Sequence, residues 1–342
     1  VVVTVYDVAQ ATGLSIASVS RALNGRPGVS AATSERIVKI AADMGYQPNE
    51  VARSLVAKAT QTIALLVPDI TNPFFPELVK GVQSVADEGD QLLLLLDAPS
   101  DPHRLADRLA ALRRKQVDGV IVVASELDSA DDDLFHGIPG VFLDRAGSGS
   151  APSVSVDQEQ AAYLATRHLI SRGHRRIAHV LGPENLAVSA LRRRGWERAC
   201  HEAGLPADDD LVFHGDFLEE GGFHAAEQIL DARDGITAVF AANDLSAIGV
   251  LACCAARGVS VPEDLSVIGL DGIELARFTA PALTTVAQPI RELGERACAL
   301  LLDVISGAPA GDVVLPVRLI DGASVQAHSG DGGGSPTNGG QR

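Results

Sequence analysis

The sequence predicts an α/β protein in which two doubly wound parallel sheets in tandem follow a small all-α N-terminal domain. Three observations carry that prediction. From Thr62 onward, short runs of Leu, Val, Ile and Ala alternate with longer segments of helical period, the pattern of parallel strands covered on both faces. Before that point there are no such runs, only short helical patterns punctuated by Gly13 and Gly45. Charge divides at the same place: residues 1–58 hold six Lys/Arg against four Asp/Glu, net +2, and the remainder holds 22 against 40, net −18. A mildly basic head on an acidic body can approach phosphates only through the head.

At 342 residues the chain exceeds one ordinary domain. Hydrophobic residues at 46% suffice for a sizeable core, and with aromatics at 4% that core must be aliphatic. The densest apolar run, Leu92 to Leu96, is far short of the ~18 residues of a membrane span, so no membrane partner is expected. The opening residues, Val-Val-Val-Thr-Val-Tyr-Asp, lack a basic region and are broken by Asp7, so they read as no secretory signal. Cys200, Cys253, Cys254 and Cys298 show no C-x-x-C spacing and read as reduced, buried thiols of a cytoplasmic protein.

Between Thr4 and Asn24 the chain reads TVYDVAQATGLSIASVSRALN. Val5, Val8 and Ala9 share one face of a short helix. Gly13 supplies a tight turn, and Ser15 is placed to N-cap a second helix carrying Ile16, Val19 and Leu23 at helical spacing. A third helix, roughly Ala32 to Met44, lines one face with Ile37, Ile40, Ala41 and Met44 and stops at Gly45. Two short helices joined by a Gly-containing turn form a helix-turn-helix, whose second helix offers its N-terminal residues to the major groove. The segment Asn49 to Ala57 is helix-compatible but too short to be stable alone, which suits a hinge that orders on docking. Leu55 would be its apolar tip, suited to wedge between base steps in the minor groove.

In the body, strands are expected at 63–67, 92–96, 119–123, 141–143, 177–181, 238–241 and 267–270, with helices near 75–88, 102–115, 158–172, 190–203, 221–232, 244–257 and 289–306. Ligands of such folds gather at the carboxyl ends of the strands. Asp69, Asp144, Asn243, Asp244 and Asp271 each follow a strand there. Any one of them reads first as a helix cap; their recurrence at the same strand end points to a site. No G-x-G-x-x-G opens a helix after the first strand, and neither a P-loop nor a G-x-S-x-G elbow occurs, so no enzyme is read. His168, His174 and His179 are not spaced for one helical face and read as surface or satisfied histidines. The acidic runs 131–133 and 208–210 lack a calcium-loop pattern, so neither metal nor cofactor is expected.

The head motif TVYDVAQATGLSIASVSRALNG, the segment NEVARSL and, in the body, VPDITNPFF (67–75), VFLDR (141–145), RGHRRIAHVLGP (172–183), VFAANDLSAIG (239–249), VPEDLSVIGLDG (261–272) and PALTTVAQP (281–289) resemble the LacI/GalR family of bacterial transcription regulators. The resemblance covers about residues 4–325, with its motifs in order. It implies a helix-turn-helix domain at 1–48, a hinge at 49–59, and a two-lobed core like the periplasmic binding proteins at 60–328. Lobe one would be about 60–157 plus 290–318, and lobe two about 158–289 plus 319–328. Residues 329–342, Gly-rich and polar, read as a disordered tail. A cytoplasmic homodimer is implied, with no C-terminal leucine-heptad helix for tetramers.

The resemblance also implies site residues. Arg21 matches the arginine of the family's V-S-R motif and would contact a base edge or phosphate of a near-palindromic operator. Thr4, Tyr6, Ser15, Ser18, Ser20 and Asn24 would position the head, while Ile16 and Ala17 face the bases without hydrogen-bonding side chains. Asn49, Ala52 and Arg53 would line the minor groove beside Leu55. A small-molecule pocket is implied between the lobes. There Arg192, in Arg-Arg-Arg-Gly-Trp, would donate a planar fork to vicinal hydroxyls or an anionic group. Asp69, Asp144, Asn243 and Asp271 would bond hydroxyls, and Phe74 and Phe217 would supply apolar faces. Arg193 and Arg194 read as a solvated face and Trp196 as core. The implied function is an effector-controlled repressor whose ligand, a sugar or polyol, changes lobe closure, separates the hinges and releases DNA. The alternatives are a nucleobase or nucleoside corepressor and, on another plan altogether, an exported solute-binding protein.

Overall fold

The computed structural model describes residues 3–25, 27–46, 59–97, 102–123, 134–135, 137–144, 151–232 and 235–328. The chain divides into two units, Val1–Thr60 and Gln61–Arg342. The segment expected to form the hinge, with Asn49, Ala52, Arg53 and Leu55, and the expected tail both lie outside the described residues.

The first unit is three helices: α1 (Val5–Thr12), α2 (Ile16–Leu23) and α3 (Ala31–Asp43). Gly13 ends α1 at φ +71°, where a side chain would be strained, and the turn it makes delivers Ser15 to cap α2. Ser30 caps α3 in the same way, accepting the N–H of Thr33. Val8, Ala9, Val19, Ala22, Ile37 and Ala41 close a core, and Arg36 ties α3 to the carbonyl of Thr12 at the end of α1.

The second unit holds two six-stranded sheets. The first takes β1 (Thr62–Val67), β2 (Leu92–Asp97), β3 (Gly119–Val123), β4 (Gly140–Leu143), β5 (Ser153–Val156) and β11 (Val313–Leu315), in the order β11-β5-β4-β3-β1-β2, every pair parallel. The second takes β6 (Ile177–Leu181), β7 (Val212–His214), β8 (Ala238–Ala241), β9 (Ser266–Asp271), β10 (Thr284–Ala287) and β12 (Arg318–Ile320), in the order β12-β10-β9-β8-β6-β7. Its edge strand β12 runs antiparallel to β10, a departure from the all-parallel expectation.

Around the first sheet lie α4 (Phe74–Glu88), α5 (Pro102–Arg114) and α10 (Ile290–Ser306); around the second lie α6 (Gln158–Ser171), α7 (Ala187–Glu202), α8 (Glu219–Ala232) and α9 (Asp244–Arg257). The chain therefore passes between lobes three times: from β5 to α6, from β10 to α10, and from β11 to β12. Helices α8 and α9 cross in backbone contact, since a Cβ on Gly249 would stand 2.0 Å from the carbonyl oxygen of Glu219. Trp196, carried by α7 and fully buried, belongs to the core of the second lobe. All four cysteines are free and buried, with burial pushing the thiols of Cys200, Cys254 and Cys298 up to about 12. Among the described residues no helix is long and apolar enough to cross a membrane.

Candidate functional site

On α2, Ser15 accepts the N–H of Ser18 at 3.2 Å and shares a hydrogen bond with its hydroxyl at 2.9 Å. Asn24 folds back onto the carbonyl of Ser20 at 2.7 Å. Both ends are thus held by their own side chains, and Val19 and Ala22 face the core. That orientation turns Ser15, Ile16, Ala17, Ser20, Arg21 and Asn24 to solvent and leaves Ser18 half-buried. Ile16 does not share the core face with Val19 and Leu23 as its spacing had indicated: as the first helical residue it is 42% exposed, and Ala22 is buried instead. Tyr6 on α1 is also solvent-facing. The N–H and hydroxyl of Thr4 both donate to Asp7 at 2.7 Å, and these bonds hold the Asp7 carboxyl below its usual range.

In the second unit, the carboxyl ends of the strands of both sheets open into one cavity of about 290 Å³. Asp69, Phe74, Asp144, Arg192, Phe217, Asn243 and Asp271 all line it. This volume sits at the lower end of the roughly 300–1,000 Å³ found for ligand clefts. Three lining residues hold left-handed backbone, Asp144 at φ +57°, Phe217 at φ +68° and Asp271 at φ +126°. Such conformations cost about 1–3 kcal/mol each and persist where surrounding contacts enforce them. The Phe217 ring packs against Gly182, where a Cβ would fall 2.2 Å from it, and the Phe217 carbonyl accepts the amide of Asn243.

The floor of the cleft is a hydrogen-bonded chain of buried polar groups. Arg192 donates through Nε to Gln158 Oε1 at 2.9 Å, through one terminal nitrogen to the carbonyl of Ala242 at 2.5 Å, and through the other to Asp271 Oδ1 at 3.3 Å. Gln158 Nε2 donates to Asp144 at 2.6 Å and to Gln288 Oε1 at 3.3 Å, and Gln288 Nε2 donates to Asp271 at 2.8 Å. Arg192 also lies 5.5 Å from the centre of the Phe217 ring. Its fork is thus engaged by protein acceptors, and only its remaining N–H groups are left to donate.

Burial raises the carboxyls of Asp271 and Asp144; Arg192 and the glutamine amides pull both back down. Asp244, behind Asp271, is raised by burial and by the Asp271 charge. The strand-end residues divide by role. Asp244 lies outside the cavity lining and accepts the N–H groups of Gly272 and Ile273 and the hydroxyl of Thr285. Asn243 caps α9 through Ser246 N–H while its amide donates to the carbonyl of Phe217, so it acts as a cap and lines the cavity as well. Asp69 accepts from Thr71 in its own turn.

Neither Gln158 nor Gln288 signals a site in the sequence: Gln158 is one glutamine at a helix start, and Gln288 stands in PALTTVAQP, which carries the resemblance without marking a role for that residue. Both are buried, and each stands on a segment where the chain crosses between lobes. Arg193 and Arg194 are ion-paired rather than simply solvated, Arg193 with Glu197 and Asp209 and Arg194 with Glu159.

His179 is neither surface nor fully satisfied. It is buried between Trp196 and Phe240, donates from Nδ1 to the Phe240 carbonyl at 3.0 Å, and leaves Nε2 without a partner. Burial depresses His179 and His174 to about 4. A histidine depressed in the folded state contributes stability above its unfolded value, near 6.5, that is lost as pH falls toward about 4. The raised carboxyls act with the opposite sign, so the histidine contribution is read as a difference. Wild type is expected to lose stability relative to His179→Phe between those pH values, by up to about 3 kcal/mol. Urea unfolding across that range checks it, and parallel curves would remove His179 as the acid-sensitive group. Among the described residues no cluster of three or more His, Cys, Asp or Glu could hold a metal.

Residues 4–49 match the family model described as bacterial regulatory proteins, lacI family, and residues 166–325 match a periplasmic binding protein-like domain. The HTH-type transcriptional repressor PurR of Vibrio atlanticus (strain LGP32) is 37% identical over 88% of this chain and 92% of its own length. Among solved structures, the lac repressor dimer bound to operator and the anti-inducer ONPF is similar at a TM-score of 0.88 and 29% identity, covering 96% of this chain and all of that one. The complex of the transcriptional regulator CelR with cellobiose is similar at a TM-score of 0.71 and 31% identity, covering 94% and 99%. The helical head, the two-lobed core and these likenesses over nearly the whole length agree: the chain belongs to the LacI family of bacterial transcription regulators.

Proposed function

We propose that this protein is a cytoplasmic homodimeric repressor that binds a near-palindromic operator through α2 and is released from it by a sugar or polyol held between the core lobes. The observation that carries this reading is the cleft floor. Asp144, Arg192 and Asp271, offered by different strands and a helix, are joined by two glutamines standing on the lobe crossovers. A ligand that bonds these groups acts on the segments about which the lobes turn. It changes operator affinity only by its differential affinity for the two lobe arrangements. The complex of the regulator CelR with cellobiose supports a sugar for this chain too. A nucleobase or nucleoside is the second reading, favoured by the phenylalanine faces of Phe74, Phe75 and Phe217 around the same cavity. The test is operator binding by the full chain at several salt concentrations, with and without members of a sugar and nucleoside panel. A steep salt dependence is expected, together with ligand-dependent release and no turnover of the ligand. A protein that ignored every ligand of the panel would not fit.

Two further outcomes follow for the DNA side. Arg21 stands exposed on α2 one turn beyond Ala17. Arg21→Ala is expected to weaken operator binding by about 1–3 kcal/mol at fixed salt, as loss of a bidentate arginine contact does. Unchanged affinity would place Arg21 off the operator. For the segment preceding the core, Leu55→Ala is expected to reduce operator bending, measured by gel mobility of circularly permuted duplexes, because the apolar wedge between base steps is lost. Equal bending by both proteins would reject the wedge.

A further inference from the structure

The charge division between head and body has one exception, at the end of the core where the chain arrives from the head. Residues 102–118 hold five Lys/Arg against two Asp/Glu, net +3, whereas the rest of 59–342 holds 17 against 38. The excess gathers at the carboxyl end of α5, where Arg113, Arg114 and Lys115 stand in succession, all exposed. One cation in a last turn complements the helix dipole. No other core helix has more than one there: α6 has His168, α7 has His201, α9 has Arg257, and α4, α8 and α10 have none. Exposed arginines elsewhere on the core, such as Arg194 and Arg257, are tied to carboxylates. Arg114 and Lys115 pair with no carboxylate among the described residues. Strand pairing fixes where the cluster lies. Lys115 is three residues from Asp118, at most about 11 Å along the chain. Asp118 is bonded to the first residues of the second unit: its carboxylate accepts the N–H of Gln61 at 2.7 Å, and its own N–H donates to the carbonyl of Thr62 at 2.8 Å. From there β3 runs beside β1, with Gly119 opposite Ile63. The cluster therefore stands at the amino edge of the first sheet, beside the point of entry. The carboxyl ends of both sheets open into the cleft, so this edge faces away from it and from the second lobe.

We infer that the core carries a DNA contact of its own: Arg114 and Lys115 of the first lobe bind phosphates of the duplex held by the helix-turn-helix. Such contacts position a protein on DNA and carry no base information, which suits two long, exposed, unpaired side chains. Over the rest of the core the excess of carboxylates repels a polyanion, so this edge is the part of it that accepts DNA. The tether favours the same edge, because the duplex is brought by the head and the head is joined to the core at Gln61. This inference rests on the reading of the protein as a DNA-binding repressor.

The test is the salt dependence of duplex binding by the full-length chain, followed by fluorescence anisotropy. Because phosphate contacts are independent of sequence, the probe is a mixed-sequence duplex of about 60 base pairs. Each neutralised phosphate contributes about −0.9 to the slope of log affinity against log salt. Arg114→Gln with Lys115→Gln is therefore expected to flatten the slope by about 2 for each protomer engaged. The advantage of wild type over this variant then shrinks about tenfold per protomer between 50 and 200 mM KCl. Two companions isolate the cause. Arg114→Lys with Lys115→Arg keeps both charges and is expected to keep the wild-type slope. Arg167→Gln with Arg175→Gln removes the same charge from exposed positions on the second lobe, on α6 and just before β6, and is expected to leave the slope unchanged. Three results overturn the inference while leaving DNA binding by the head standing: a slope unmoved by the glutamine pair at 114 and 115, a slope flattened as much by the second-lobe pair, or one flattened by the charge-keeping swap. A wild-type chain that binds no duplex even at 50 mM KCl overturns both readings.

Discussion

Replacing Arg192 by alanine is expected to cost about 3–5 kcal/mol of folding stability and to abolish the response to effector. The loss does not come from the missing attraction alone. Arg192 and Asp271 are each almost fully withdrawn from water, so removing the cation leaves Asp271, and Asp144 beyond Gln158, buried with amide donors but no counter-charge. Gln158 Oε1 and the carbonyl of Ala242 lose their donors as well. Denaturant unfolding measures the first effect and effector-dependent operator release the second. Stability within about 1 kcal/mol of wild type would mean that the buried charges are not coupled as described. A retained response in both Arg192→Ala and Asp271→Ala would remove these residues from the effector site.

The second large effect is expected at Asp244, which does not touch the cavity. Asp244→Ala strands three donors at once: the N–H groups of Gly272 and Ile273 at 2.8 and 2.9 Å, and the Thr285 hydroxyl at 2.6 Å. At about 1–3 kcal/mol for each unsatisfied buried group, the sum is about 3 kcal/mol or more. Asp244→Asn keeps a carbonyl oxygen and is expected to lose less. Because the stranded amides follow Asp271 directly, effector affinity is expected to fall in Asp244→Ala without any contact being removed from the ligand. Equal small losses in both variants, with unchanged effector affinity, would show that this carboxylate does not hold the Asp271 turn.

Much of this architecture is legible in sequence, for a physical reason. The longer central strands are buried on both faces, so Ile63–Val67 and Gly119–Val123 appear as uninterrupted apolar runs. The strands that escaped notice are short or polar. Ser153–Val156 alternates serine with valine, Thr284–Ala287 opens on two threonines, and Val212–His214, Val313–Leu315 and Arg318–Ile320 have three residues each. Their hydroxyls are satisfied by partners remote in the chain, such as Ser153 by Asp312 and Thr285 by Asp244. The cleft divides likewise. Strand-end aspartates announce themselves by position, whereas Gln158 and Gln288 acquire meaning only when folding brings them, 130 residues apart, within 3.3 Å of each other.

The triple crossing between lobes has a consequence for how the molecule is made. The head closes its core with residues 8–41, a contiguous stretch finished early in synthesis. Neither lobe is contiguous: the first sheet lacks its β11 edge until Val313–Leu315 emerges, and Ser324 must arrive before its hydroxyl can accept from Thr284 and donate to Val267. Chains grow from the N-terminus at about 5–20 residues per second, and segments fold as they become complete. For most of its time on the ribosome the nascent polypeptide therefore carries a finished head and two unfinished lobes. A message truncated before the codon for Val313 yields the same species permanently, a helix-turn-helix with no completed cleft to answer to.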